Sequence, residues 1–214
     1  MFKKIKNGAA LVIALVALIP SNSNAQAVEE GKILVDVYYG FPNLYTSVFK
    51  AAYANSGTTE DVKIAGLGPL GLRGEYMVKD KFGVGVDIGY NSTTLTFKDK
   101  QEVYNSTTGL YDTKTYDYTF KTQKIGVMAT LNYHFINNDK VDAYGVFGAG
   151  YGNRSYTFSS TDPDYKTESV KGLIPVASRI GVGMRYFFTE NIGANLALGF
   201  GQGGIVNGGV SFKF

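Results

Sequence analysis

Residues 82 to 90 alternate without a break. Phe82, Val84, Val86, Ile88 and Tyr90 fall on one face of an extended chain, and Gly83, Gly85, Asp87 and Gly89 on the other. Side chains repeat every two residues in a strand and every 3.6 in a helix, so this stretch reads as a strand. The period returns in Ile125, Val127, Ala129, Leu131, Tyr133 and Phe135, set against Lys124, Gly126, Met128, Thr130, Asn132 and His134. It returns again in Ile180, Val182, Met184, Tyr186 and Phe188, along residues 192–200, and in Val210, Phe212 and Phe214 at the C-terminus. Residues 31–40, 67–78 and 141–154 complete a set of eight strands. The last of these has ambiguous parity, because Tyr144 and Val146 fall opposite Phe147, Ala149 and Tyr151, and a bulge is expected between them.

The connections alternate in length. Long ones cover 41–63, 98–117, expected to project as a hairpin, and 155–172; short ones cover 79–81, 136–140 and 189–191, and a glycine-rich turn spans 201–204. Strands joined this way run up and down as neighbours. In the first long connection Leu44, Val48 and Ala51 have helical spacing, which predicts a short helix over Tyr45 to Asn55.

The composition decides which face meets what. Glycine makes up 27 of the 214 residues. On an outer wall Gly83, Gly85, Gly181, Gly183 and Gly193 would cover nothing and weaken the strands. Turned inward, they leave room for Arg and Tyr inside a ring of eight strands, whose interior is only just wide enough for side chains. The apolar face then points outward, with aromatic residues gathered near both ends of the strands, as in a barrel embedded in lipid. The expected fold class is therefore all-β, an eight-stranded antiparallel up-and-down transmembrane β-barrel.

Residues 1–27 have a basic head (Lys3, Lys4, Lys6), an 11-residue apolar run from Ala9 to Ile19, and a polar stretch ending in Ala25-Gln-Ala27. This is the pattern of a secretory signal peptide. Cleavage is expected after Ala27, with Ala25 as the alternative, and residues 28–214 form the barrel domain. Of the 21 basic residues, the three in the leader carry the whole net charge, leaving 18 against 18 acids. A balanced chain has no electrostatic footprint for nucleic acid. With no Cys and a single His, thiol catalysis and every zinc site that needs Cys or paired His are excluded, and no cofactor or metal is expected.

The last eight residues carry the most specific signal. Asn207, then Gly209, then aromatics at Phe212 and Phe214 resemble the C-terminal insertion signal of bacterial outer-membrane barrels. With the leader and the strand count, the chain resembles the small eight-stranded outer-membrane proteins, a group that includes OmpX-like, OmpA-like and opacity barrels. The resemblance implies a Gram-negative outer membrane, with outer-membrane lipid and the barrel-insertion machinery as partners. It leaves function open, because members of the group differ in it.

Three functional readings follow. In the first, the interior charges Asp36, Glu75, Asp87 and Asp142 pair with Arg73, Lys124, Arg179, Arg185 and Lys213 and plug the lumen, since isolated buried charges are costly. The barrel then serves envelope integrity, or meets an extracellular ligand or surface partner through loops 41–63, 98–117 and 155–172, which are rich in Thr, Ser, Tyr, Asp and Lys. In the second, the same charges form a selectivity path and small solutes pass through the lumen, porin-like, or through a lateral opening. In the third, the resemblance implies a lipid-modifying barrel enzyme built on His with Ser or Asp. His134 is the sole candidate, and it falls on the interior face near the tight turns, far from the outer leaflet such chemistry needs. Gly66-Leu-Gly-Pro-Leu-Gly71 spells a nucleotide-binding fingerprint but continues into a strand, not a helix, and so predicts no nucleotide site. The expected protein is not an enzyme.

Overall fold

The computed structural model describes residues 26–53 and 60–214; the leader expected over residues 1–27 lies outside it except for its last two positions. Nine strands and one helix follow in the order β1 (Ile33–Phe41), α1 (Leu44–Tyr53), β2 (Glu60–Lys79), β3 (Phe82–Asn105), β4 (Leu110–Asn137), β5 (Val141–Ser160), β6 (Glu168–Lys171), β7 (Val176–Phe187), β8 (Ile192–Gly201) and β9 (Val206–Lys213). Every pairing is antiparallel. Pairing runs β1-β2-β3-β4-β5-β7-β8-β9 and returns to β1, so eight strands close a ring without an edge. The ninth, β6, pairs with β5 in line with β7 and is separated from it by residues 172–175.

The alternation read from the sequence maps onto this ring. Ile33, Val37, Leu72, Val84, Val86, Ile125, Val127, Leu131, Ile180 and Val182 are exposed on its outside. Asp87, Met128, Thr130, Asn132, His134 and Arg185 are buried inside. In β5 the even residues Asp142, Tyr144 and Val146 face inward, while Phe147 and Tyr151 face outward. The expected bulge within this strand is absent; the register slips instead on the partner strand, between His134 and Ile136. Aromatic residues collect at both margins of the outer face. Phe82 lies 5.2 Å from Tyr133 and Tyr186 5.4 Å from Phe188 near the tight turns, and Tyr39, Tyr151 and Phe200 are exposed at the other end.

Many interior glycines are small because a neighbour's side chain occupies their space. A Cβ at Gly183 would sit 2.5 Å from the Tyr144 ring, and one at Gly89 2.6 Å from the Gln202 side chain. Near the tight turns Ala27, Val28, Leu34, Met77 and Phe187 pack into an apolar floor across the ring. Burial of such groups stabilises by roughly 25 cal/mol per Å².

The long connections are more ordered than the sequence suggests. Residues 98–117 form the expected projecting hairpin, with strands that continue to its tip: β3 and β4 run 24 and 28 residues and stay paired from Phe82↔Tyr133 to Asn105↔Leu110. A turn with Gly109 at φ +68° joins them. Residues 155–172 contain the end of β5 and all of β6. The short helix expected over Tyr45 to Asn55 spans Leu44–Tyr53, and the last two expected positions lie outside the described residues. Leu44 and Val48 are exposed, whereas Phe49 meets Phe120 edge-on at 5.5 Å and Thr46 bonds Thr93 at 2.8 Å.

Candidate functional site: a buried charge cluster

Register alone lines up much of the interior charge. Asp36 of β1 pairs with Arg73 of β2, which pairs with Asp87 of β3; across the ring Asp142 of β5 pairs with Arg185 of β7. Inward parity at these positions then brings the side chains into contact in the middle of the lumen. All are at most 2% exposed.

Arg185 is the hub. Its Nε donates to Asp36 Oδ1 at 3.0 Å, its Nη2 to Asp36 Oδ2 at 2.8 Å and Glu75 Oε2 at 2.7 Å, and its Nη1 to Asp142 Oδ2 at 2.8 Å. The guanidinium also stacks over the Tyr144 ring at 4.3 Å. Arg73 donates through Nε to Asp87 Oδ2 at 3.1 Å and through Nη1 to the Tyr144 hydroxyl at 2.9 Å, and lies 3.5 Å from Asp36. Asp87 is completed by the Tyr38 hydroxyl and Gln202 Nε2, both at 2.7 Å, and Asp36 by Ser211 Oγ at 2.6 Å. Charge-assisted bonds of this kind are about twice as strong as neutral ones, and here they satisfy acids that would be prohibitive if left alone.

Of the nine expected members, Asp36, Arg73, Glu75, Asp87, Asp142 and Arg185 meet in this cluster. The other three do not. Arg179 is buried above it, where Nη1 donates to the Gln202 carbonyl and Nε and Nη2 have no hydrogen-bond partner among the described residues. Lys124 is half-buried at the far mouth of the ring, opposite Arg154. Lys213 lies at the floor, donating to the Ala27 carbonyl at 2.8 Å and standing 4.9 Å over the Phe187 ring. Alternation placed all nine on the inner face but not at one height along it.

His134, Tyr38, Tyr144, Gln202 and Ser211 belong to the cluster and were missed from the set. Both ring nitrogens of His134 face carboxylates, Nε2 to Glu75 Oε1 at 2.9 Å and Nδ1 to Asp142 Oδ1 at 2.5 Å. The imidazole is thus held by structural partners, and Ser211 is turned toward Asp36. Its inward parity was the available signal for His134.

The residues of the expected insertion signal lie in β9 and, for Phe214, directly after it. Asn207 faces inward and donates to the Gly203 carbonyl at 3.3 Å, and Gly209 lies between Tyr38 and Asn195. Phe212 pairs with Val35 and Ile192, and Phe214, exposed outside, bonds Ile33 through its backbone at 2.9 Å.

A family model agrees with this architecture. Residues 11–201 match the model of the outer membrane protein beta-barrel domain. Among solved structures, the N-terminal β-barrel domain of Pseudomonas aeruginosa OprF is similar at 16% identity and a TM-score of 0.45, covering 87% of this chain and 100% of that one. Ail, the attachment invasion locus protein of Yersinia pestis, is similar at 17% identity and a TM-score of 0.39, covering 86% and 99%. The outer membrane protein W of E. coli is similar at 13% identity and a TM-score of 0.41, covering 87% and 99%. A search of curated proteins returned no match. The family match spans most of the chain, which therefore belongs to the outer membrane protein β-barrel domain family and resides in the Gram-negative outer membrane.

Proposed function

We propose that this protein is an eight-stranded up-and-down transmembrane β-barrel without catalytic activity, plugged by its charge cluster, that stabilises the envelope and presents its projecting strands to a partner outside the cell. Outer-membrane lipid would cover the apolar band, and the C-terminal strand would address the chain to the insertion machinery. One observation carries the reading. Beyond Tyr90 and Ile125, where the outer face turns from apolar to Ser, Thr, Lys and Gln, β3 and β4 stay paired through residues 91–105 and 110–124. At ~3.3 Å per residue that ladder extends about 50 Å along the strand. A membrane anchor alone needs none of it, because the apolar band of such barrels is about 25 Å tall.

Replacing residues 101–116 with a short Gly-Ser turn tests this. Insertion and heat-dependent gel mobility are expected to persist, while binding to cells, matrix or envelope partners is lost. Unchanged binding would move the surface to residues 41–63 or 155–172. Conductance above background in planar bilayers would replace the plugged reading with solute passage.

A further inference from the structure

Above the cluster the ring opens into a mouth that differs from it electrostatically. A cavity of about 240 Å³ there is lined by Asn43 and Tyr45 at the start of α1, by Asn91, Lys124 and Arg154, and by the turn at residues 201–204. A second cavity, of about 440 Å³, is bounded by the same Lys124 and Arg154 together with Lys171 and residues 172–174. Neither lining contains a carboxylate. Lys124 and Arg154 are direct cross-strand partners, and among the described residues neither has an acid within ion-pair distance. In the cluster below, by contrast, both Arg73 and Arg185 meet carboxylates.

Two further features point the same way. Arg154 is held in place before any ligand arrives, its guanidinium 4.3 Å over the Tyr45 ring and its Nη1 donating to Thr122 Oγ1 at 3.3 Å. The N-terminus of α1 opens onto the first cavity and has no acid in its first turn. Asn43 Oδ1 accepts from the Thr46 amide at 3.3 Å, and the amides ahead of it have no intrahelical partner by the geometry of any helix. Such a terminus carries a partial positive charge. Like charges juxtaposed in a half-buried site disfavour each other, and an anion between them reverses the sign.

We propose that this mouth is an anion site that takes a phosphate- or sulfate-type oxyanion, bound by Lys124 and Arg154 with the first amides of α1 as additional donors. The oxyanion arrives either free in solution or as the phosphate of a lipid headgroup. The second route would pass the break between β6 and β7, where Leu173 and Ile174 are 98% and 79% exposed beside the second cavity. The site does not depend on the surface-recognition reading.

Calorimetric titration of the refolded full chain in neutral detergent with inorganic phosphate tests the free source. Neutral micelles carrying a small fraction of phosphatidic acid, without free phosphate, test the lipid source, read from the amide resonances of residues 201–204. Saturable binding is expected in at least one arm, and that arm names the source. Affinity should fall at least tenfold in Lys124→Gln/Arg154→Gln, hold in Lys114→Gln, and weaken as salt rises. Heat-dependent gel mobility checks that each variant has folded, and the single variants Lys124→Gln and Arg154→Lys serve if the double one has not. No saturable binding in either arm, or binding that ignores both residues, overturns the proposal.

Discussion

Arg185 and His134 grip the same two carboxylates through different oxygens. Arg185 takes Glu75 Oε2 and Asp142 Oδ2, and His134 takes Glu75 Oε1 and Asp142 Oδ1, at distances of 2.5 to 2.9 Å. Side chains from β7, β2, β4 and β5 thus close a loop of hydrogen bonds. Carboxylate oxygens only accept, so both ring nitrogens of His134 are satisfied when each carries a proton.

Glu75→Ala removes two links of that loop at once and leaves Arg185 and His134 facing a void. Breaking a buried pair from one side typically costs ~3 to 5 kcal/mol. Urea unfolding in detergent is expected to show a loss of that order, whereas Lys114→Ala on the exposed hairpin should change stability by no more than ~0.5 kcal/mol. Equal effects would mean that Glu75 is not buried among charges.

Gly183 and Gly74 should respond to alanine in opposite ways. A Cβ at Gly183 meets the Tyr144 ring at 2.5 Å, and one at Gly74 meets nothing within 4 Å. Overpacking costs ~1 to 3 kcal/mol, so Gly183→Ala should lower the unfolding midpoint. Gly74→Ala should leave it unchanged or raise stability by up to ~1 kcal/mol, through the unfolded chain. A midpoint for Gly183→Ala at or above that of Gly74→Ala would show that Tyr144 has room to move.

Phe49 is expected to hold α1 in place without supporting the ring. The helix contains no fully buried residue, and its ring contacts are with Phe120 at 5.5 Å and Tyr45 at 6.3 Å. Limited proteolysis of Phe49→Ala should cut within the helix several-fold faster than in the parent, at unchanged heat-dependent mobility. Parent-like resistance would assign the docking to Thr46 and Asn43 instead.

Asp61, beyond the apolar band, titrates below the ordinary aspartate range, chiefly through its hydrogen bond with Lys98 at 2.8 Å and then through that lysine's charge. A depressed carboxyl contributes above its unfolded value, and the contribution disappears as pH falls through the folded one. Carboxyl NMR should find the Asp61 midpoint returning upward in Lys98→Gln. An unmoved midpoint would dissolve the pair in solution.

The ring was legible because residues that face an apolar medium on one side and a crowded interior on the other must alternate, and Phe82 to Tyr90 do so strictly. Paired strands that rise above that medium obey no such rule. In residues 98–105 and 110–117 a hairpin was legible but not the extent of its strands, because both of their faces are polar; cross-strand pairs such as Tyr104 with Tyr111, 5.5 Å apart, line the ladder. The helix was legible by spacing but not by face, since its partners Phe120 and Thr93 come from distant strands. The cluster was legible by parity and not by height, which is why Lys124 and Lys213 were grouped with acids they do not meet. His134 meets Asp142 across the β4–β5 hairpin and Glu75 from β2, whose side chain passes over Gly83 of the strand between them.

Closure also constrains how the chain enters the bilayer. Asp36 lies on the first strand of the ring and bonds to Arg185 on β7 and Ser211 on β9, the last strand. Until first and last strands meet, Asp36 keeps only its 3.5 Å approach to Arg73 and Arg185 only its bond to Asp142, and a charge poorly matched against hydrocarbon costs at least ~2.5 kcal/mol. A sheet that entered lipid one strand at a time would carry Asp36, Glu75, Asp87 and Asp142 incompletely matched. The charge cluster is fully matched only once β9 docks on β1, so closing the ring and completing the cluster are one step.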